Sequence, residues 1–113
     1  MSKYYQLHRV REMADNDEDF VLAIAAAFIE EVPEDAERLR TAVPAKDYKE
    51  VYQAAHKMKP TIDLFELGVL DTLIEVQDWG KFEKSDMNVD EQLQIVLTAV
   101  ENATNEIKAD FNL

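Results

Sequence analysis

The chain contains no cysteine, which excludes a disulfide framework, a thiolate zinc site and a cysteine nucleophile. Only two glycines and three prolines punctuate 113 residues, too few for the many turns of a β-sandwich or barrel. Positive charge is also scarce. Twelve Lys and Arg stand against 24 Asp and Glu, a formal net charge of -12. A surface this acidic repels nucleic-acid phosphates and anionic membranes, so neither is an expected partner. No apolar run approaches the roughly 20 residues of a membrane span. The opening Met-Ser-Lys-Tyr-Tyr lacks the charged-then-apolar pattern of a signal peptide, so a cytoplasmic location is the expectation.

What is present is helical periodicity, and the length suits one domain over residues 1–113,. A short first helix is expected from Tyr5 to Ala14. Asn16 is an expected N-cap, and Asp17, Glu18 and Asp19 put negative charge where a helix dipole favours it,. An apolar helix then runs from Asp17 to Glu31, where Phe20, Ile24 and Phe28 form one stripe and Leu22, Ala26 and Ile29 lie roughly opposite,. A helix apolar on both sides is either deeply buried or offers a patch to a partner. Pro33 should interrupt or kink it, with helix resuming over Glu34 to Val43 until Pro44,.

The next helix is expected from Ala45 to Leu64, with Val51, Ala55, Met58, Ile62 and Phe65 as its buried stripe,. Another follows from Glu66 to Trp79, burying Leu67, Leu70, Leu73 and Ile74, with Gly80 as its stop,. Lys81 to Met87 reads as a polar loop, and Asn88 with Glu91 as a loose capping box,. The last helix carries Val89, Leu93, Val96, Val100, Ala103, Ile107 and Phe111 on one face. Four substantial amphipathic helices with short connections bury their stripes most simply as an antiparallel four-helix bundle, here all-α with an additional short N-terminal helix.

Chemistry concentrates around His56. At about 100° per residue it projects roughly 130° away from the centre of the Val51/Ala55/Met58/Ile62 stripe, so it should face solvent midway along its helix. Tyr52 and Gln53 precede it on that face, Lys59, Pro60 and Asp63 follow, and Lys49 lies two turns back. Lys46, Lys49, Lys57 and Lys59 make a locally basic patch on an acidic chain. An exposed imidazole is a competent nucleophile near neutral pH, and Lys59, three residues on, is near enough to neutralise phosphoryl oxygens. Lys57 points elsewhere on the cylinder, towards a docked partner. On spacing alone a surface histidine among surface lysines accounts for the same residues.

Other candidates are weaker. His8, beside Arg9 and Arg11, has no partner at metal-ligand spacing, and no helical His or Glu/His pair of that kind occurs, so no metal is expected,. Trp79 and Phe82 read as core or edge packing. No glycine-rich phosphate loop is present, and no spacing supports a carboxylate-based enzyme.

The box Ala55-His56-Lys57-Met58-Lys59 resembles the His-x-hydrophobic-Lys core of histidine-containing phosphotransfer (HPt) domains. Phe28, Glu30 and Pro33, followed by Leu39, resemble the family's Phe-x-Glu-x-x-Pro segment on the helix before the histidine. Phe65, Leu67 and Leu70 match apolar positions that follow it. Pro60 stands where the family usually has glycine, and Glu66 where it has a later one. Proline at 60 cannot donate to the carbonyl of His56, so a kink is expected there. The resemblance implies that His56 is the phosphoacceptor and Lys59 the steadying lysine. The surrounding Lys57, Tyr52, Gln53, Pro60, Asp63 and Lys49 would form the docking face. It further implies a monomeric phosphoryl carrier without kinase activity of its own, acting between response-regulator receiver domains downstream of a hybrid sensor histidine kinase. The carrier would need no cofactor, the Mg²⁺ residing on the partner receiver. The alternative is a helical bundle that binds a signalling partner without carrying phosphate.

Overall fold

A computed structural model describes residues 4–113; residues 1–3, the start of the Met-Ser-Lys-Tyr-Tyr segment, lie outside the described residues. Five helices follow one another: α1 (His8–Met13), α2 (Glu18–Ala42), α3 (Tyr48–Leu64), α4 (Leu70–Lys81) and α5 (Asp90–Phe111), with no strand among the described residues. Each of α2 to α5 packs on its sequence neighbour, and α5 closes the ring against α2. Short connections between long consecutive helices impose the antiparallel four-helix bundle. The described residues form an elongated body of 46 × 22 × 20 Å.

α2 begins one residue later than Asn16 predicts. Asn16 and Asp15 adopt left-handed backbone conformations (φ 59° and 52°). The cap is Asp17, whose carboxylate accepts from the N–H groups of Asp19 (3.0 Å) and Phe20 (3.3 Å). The expected break at Pro33 does not occur, and the helix runs through it for 25 residues. Proline removes a single ladder bond, and the buried side chains Val32, Ala36 and Leu39 on either side hold both halves against the core,. The buried stripe is also rotated from the expected one. Val21, Ala25, Phe28, Val32, Ala36 and Leu39 are buried, whereas Phe20 and Leu22 are exposed and Ile24, Ala26 and Ile29 lie half-buried on the flanks.

α3 starts at Tyr48 rather than Ala45 because Lys46 is left-handed (φ 55°) and Asp47 caps the helix by accepting from Glu50 N–H at 3.3 Å. α3 runs through Pro60 to Leu64, the expected end. The expected start of α4 at Glu66 is corrected by backbone geometry. Glu66 (φ 51°) and Gly68 (φ 79°) are left-handed. Glu66 N–H donates to Asp63 O (3.1 Å) and Leu67 N–H to Ile62 O (3.2 Å), a Schellman closure of α3,. Accordingly Leu67, Leu70 and Ile74 are only half-buried, and the core face of α4 is Leu73, Val76, Gln77, Trp79 and Gly80.

Gly80 is not a stop. It sits inside α4, where a Cβ would come 2.7 Å from Tyr48 O and 2.9 Å from Tyr52 N. Its missing side chain therefore permits close approach of α4 to α3. Trp79 beside it is buried, donates to Met87 O (2.8 Å) and packs on Tyr48 with ring centroids 4.8 Å apart. Phe82 is instead 61% exposed, with the ammonium groups of Lys81 and Lys84 at 5.3 and 5.9 Å from its ring centre. Along α5, Leu93, Val96, Val100, Ala103 and Ile107 are buried as the periodicity predicts, with Val89 before the helix and Phe111 half-buried at its end.

The N-terminal segment closes one end of the bundle. Tyr5 is buried, its hydroxyl donates to Asp110 (2.7 Å), and its ring lies 6.4 Å from Phe65. Gln6 N–H donates to Phe65 O (2.8 Å). Because residues 5–7 lie outside any helix in this cap, α1 is shorter than the expected Tyr5–Ala14.

Candidate functional site

His56 lies midway along α3 and is exposed, opposite a core-facing side made of Val51, Ala54, Ala55, Met58 and Ile62. That exposure leaves the ring open to a reacting group from another molecule. One face of the ring is occupied: Tyr52, one turn earlier, stacks on it with centroids 5.5 Å apart and planes 20° from parallel. Tyr52 is half-buried, and its backbone is seated against Gly80 of α4.

The cations around His56 divide into two groups. Lys59, half-buried in the next turn, and the exposed Lys49 form no ion pair among the described residues. The side chain of a helical residue leans over the turn N-terminal to it, which inclines Lys59 towards the turn that carries His56. Lys57 is engaged elsewhere. Its ammonium group lies 3.2 Å from Asp35 on α2, although half of its side chain remains exposed. Asp63 is paired with Arg9 of α1 at 2.7 Å. Gln53 and Pro60 are exposed on the same stretch of α3, and Pro60, lacking an N–H, leaves the His56 carbonyl without its usual helical donor.

Sequence reasoning missed the charged cluster beside this face. Asp35 is 3% exposed and is held by both Lys57 and Arg38 (3.3 Å). Arg38 in turn grips Glu50 of α3 with two bonds, Nε to Oε2 at 2.8 Å and Nη2 to Oε1 at 2.9 Å. The hydrogen bond from Arg38 is the chief cause that holds the Glu50 carboxyl below its ordinary value; partial burial opposes it. The reciprocal bond raises Arg38. A signal existed in the sequence. Asp35 falls within the Val32/Ala36/Leu39 stripe, and a carboxylate on a buried face requires a cation.

His8 is exposed in α1. Among the described residues no group of three or more His, Asp or Glu side chains is disposed to hold a metal ion, and no helix is long and apolar enough to cross a membrane. The arrangement offers an open nucleophile on a rigid helix with an unpaired cation one turn away, a geometry suited to receiving an anionic electrophile from another molecule.

Comparison with known proteins adds a family. The Hpt domain model matches residues 23–103, taking in α2 from Ala23, all of α3 and α4, and most of α5. No curated protein and no solved structure matches the chain. Hpt domains are helical-bundle phosphocarriers of two-component phosphorelays and interact with response-regulator receiver domains. With four packed helices and a match over most of its length, the chain belongs to the histidine-containing phosphotransfer (Hpt) family.

Proposed function

We propose that this protein carries a phosphoryl group on His56 between the aspartates of two receiver domains, in a relay headed by a hybrid sensor histidine kinase. The lone pair of a ring nitrogen attacks phosphorus in line with the acyl–phosphate bond of a phospho-aspartyl receiver. The N–P bond forms as the P–O bond breaks, and the aspartate leaves as a carboxylate with the electron pair. The second receiver reverses the step, its carboxylate attacking phosphorus and the imidazole departing. Lys59 neutralises phosphoryl oxygens during both passages. Such transfer depends on positioning and charge compensation rather than on covalent assistance. The Mg²⁺ belongs to the receiver, and the carrier acts as a monomer without a cofactor or kinase activity of its own. Tyr52, Gln53, Lys57, Pro60, Asp63 and Lys49 surround the acceptor as the docking face.

The observation that carries this reading is the exposure of His56 in mid-helix with Lys59 unpaired one turn on. The test is transfer of radiolabel from phosphorylated receivers to the wild-type protein and to His56→Gln. Labelling of the wild type and not of the variant is expected. Equal labelling of both removes His56 from the role, and failure of every receiver to label the wild type favours a bundle that binds without carrying phosphate.

A further inference from the structure

We infer that Tyr52 is a positioning residue for the transfer, holding the His56 ring in the one orientation that presents its nitrogen edge outward. This rests on His56 being the acceptor. The stacking geometry, 5.5 Å between centroids and 20° between planes, covers one π face of the imidazole. A ring nitrogen's lone pair lies in the ring plane, so a partner on the face leaves the in-line approach free. An exposed helical histidine has two common χ1 rotamers, both leaning back over the preceding turn, and a broad χ2; the stack on Tyr52 selects among these ring orientations. An aromatic pair of ordinary strength biases that choice by about two- to twelvefold.

Tyr52 is fit to serve as the fixed member of the pair. Its backbone N lies 2.9 Å from where a Cβ on Gly80 would stand, so α4 presses directly on the turn that carries it. The preceding turn is anchored too, through Tyr48 on Trp79. The tyrosine is half-buried whereas the histidine is exposed. The ring thus inherits order from the α3–α4 contact rather than from its own burial. Lys59 follows His56 in the next turn of α3, so the helix carries the aromatic partner one turn before the ring and a lysine one turn after it.

The experiment uses phosphoramidate, a small donor that needs no docking surface, with ring-proton NMR as a second readout. In the wild type and in Tyr52→Phe, the His56 ring protons should be shifted upfield by the neighbouring ring, and both should phosphorylate at the same rate. In Tyr52→Leu the upfield shift should vanish. The rate should fall about two- to threefold as the imidazole spreads over its rotamers. The proposal is overturned if Tyr52→Leu reacts as fast as wild type, if Tyr52→Phe falls with it, or if the wild-type ring protons show no upfield shift. That last measurement decides the matter even if the leucine variant fails to fold. Undiminished labelling of His56→Gln would overturn the acceptor assignment instead, and the NMR shifts would still report the stacking.

Discussion

Replacing Gly80 with alanine adds one carbon to a close contact between α4 and α3 near the site. That carbon would lie 2.7 Å from Tyr48 O and 2.9 Å from Tyr52 N, both inside the 3.0 Å that Cβ atoms essentially never reach, and 3.1 Å from Val51 Cβ. Two of these atoms belong to helix backbone, so no side chain can rotate to make room and α4 must move away from α3. Overpacking costs about 1–3 kcal/mol, and against unyielding backbone this case falls in the upper part of that range, about 2–3 kcal/mol. Alanine recovers about 1 kcal/mol through its better helix propensity, leaving a net loss of about 1–2 kcal/mol. For a domain of this size that corresponds to a fall in Tm of about 4–15 °C, measured by far-UV circular dichroism. The displaced turn is the one bearing Tyr52, so the upfield shift of the His56 ring protons should weaken in the same variant. A melting temperature equal to or above that of wild type would refute the close approach on which this reasoning depends.

Glu66→Gly should raise Tm by about 4–8 °C. The left-handed backbone at Glu66 (φ 51°) costs about 1 kcal/mol relative to glycine,, and one carboxylate oxygen of Glu66 is buried without a hydrogen-bond partner among the described residues. Glu66→Ala, which keeps the Cβ, should not share the backbone part of the gain; a glycine variant that melts no higher than alanine would contradict it. Glu50→Gln should lower stability in a pH-dependent way. Because the Arg38 hydrogen bond depresses the Glu50 carboxyl, its contribution is present above the unfolded-chain value of about 4.3 and is lost as pH falls through the lower folded value. About a third of each side chain is exposed, so screening limits the contribution to about 0.5–1 kcal/mol. Melting curves of wild type and variant should differ most near neutrality and converge as pH falls through the lowered Glu50 value,; a gap that stays constant would show that the charge pair is not its source.

The bundle was legible because helical stripes are long-range patterns that tolerate local error. The stripes Val51/Ala55/Met58/Ile62 and Leu93/Val96/Val100/Ala103/Ile107 are buried as spacing predicts. Boundaries fared worse wherever a non-glycine residue takes a left-handed conformation. Asn16, Lys46 and Glu66 all do so, and neither Lys46 nor Glu66 is a residue type that favours that conformation. Pro33 misled in the opposite sense. A proline deletes one bond, and Pro33 lies within a helix whose packing on both sides outweighs that loss. Gly80 was misjudged because glycine has two uses, ending helices and admitting neighbours. Only the position of α3 reveals which applies. The exposure of His56 followed from its angle to the stripe. Its stack on Tyr52 did not, since i−4 spacing permits the contact without requiring it.

The basic patch around His56 looks uniform in sequence, yet its two nearest lysines have different physical roles. Lys57 is adjacent in the chain but about 100° around the helix, and Lys59 lies about 60° to the other side. On the Lys57 side stands α2 with Asp35, a carboxylate almost wholly removed from water. Leaving it ionised in the interior requires nearby cations, and Lys57 and Arg38 supply them at 3.2 and 3.3 Å. The charge at position 57 is therefore set by the α2–α3 interface. Among the described residues Lys59 forms no such bond, and neither does Lys49 two turns before the histidine. On a protein of net charge -12, a phosphoryl group on His56 would face a field of the wrong sign almost everywhere. Unpaired positive charge one turn from the ring is the local exception, and it is available because the fold satisfies Asp35 with the other lysine.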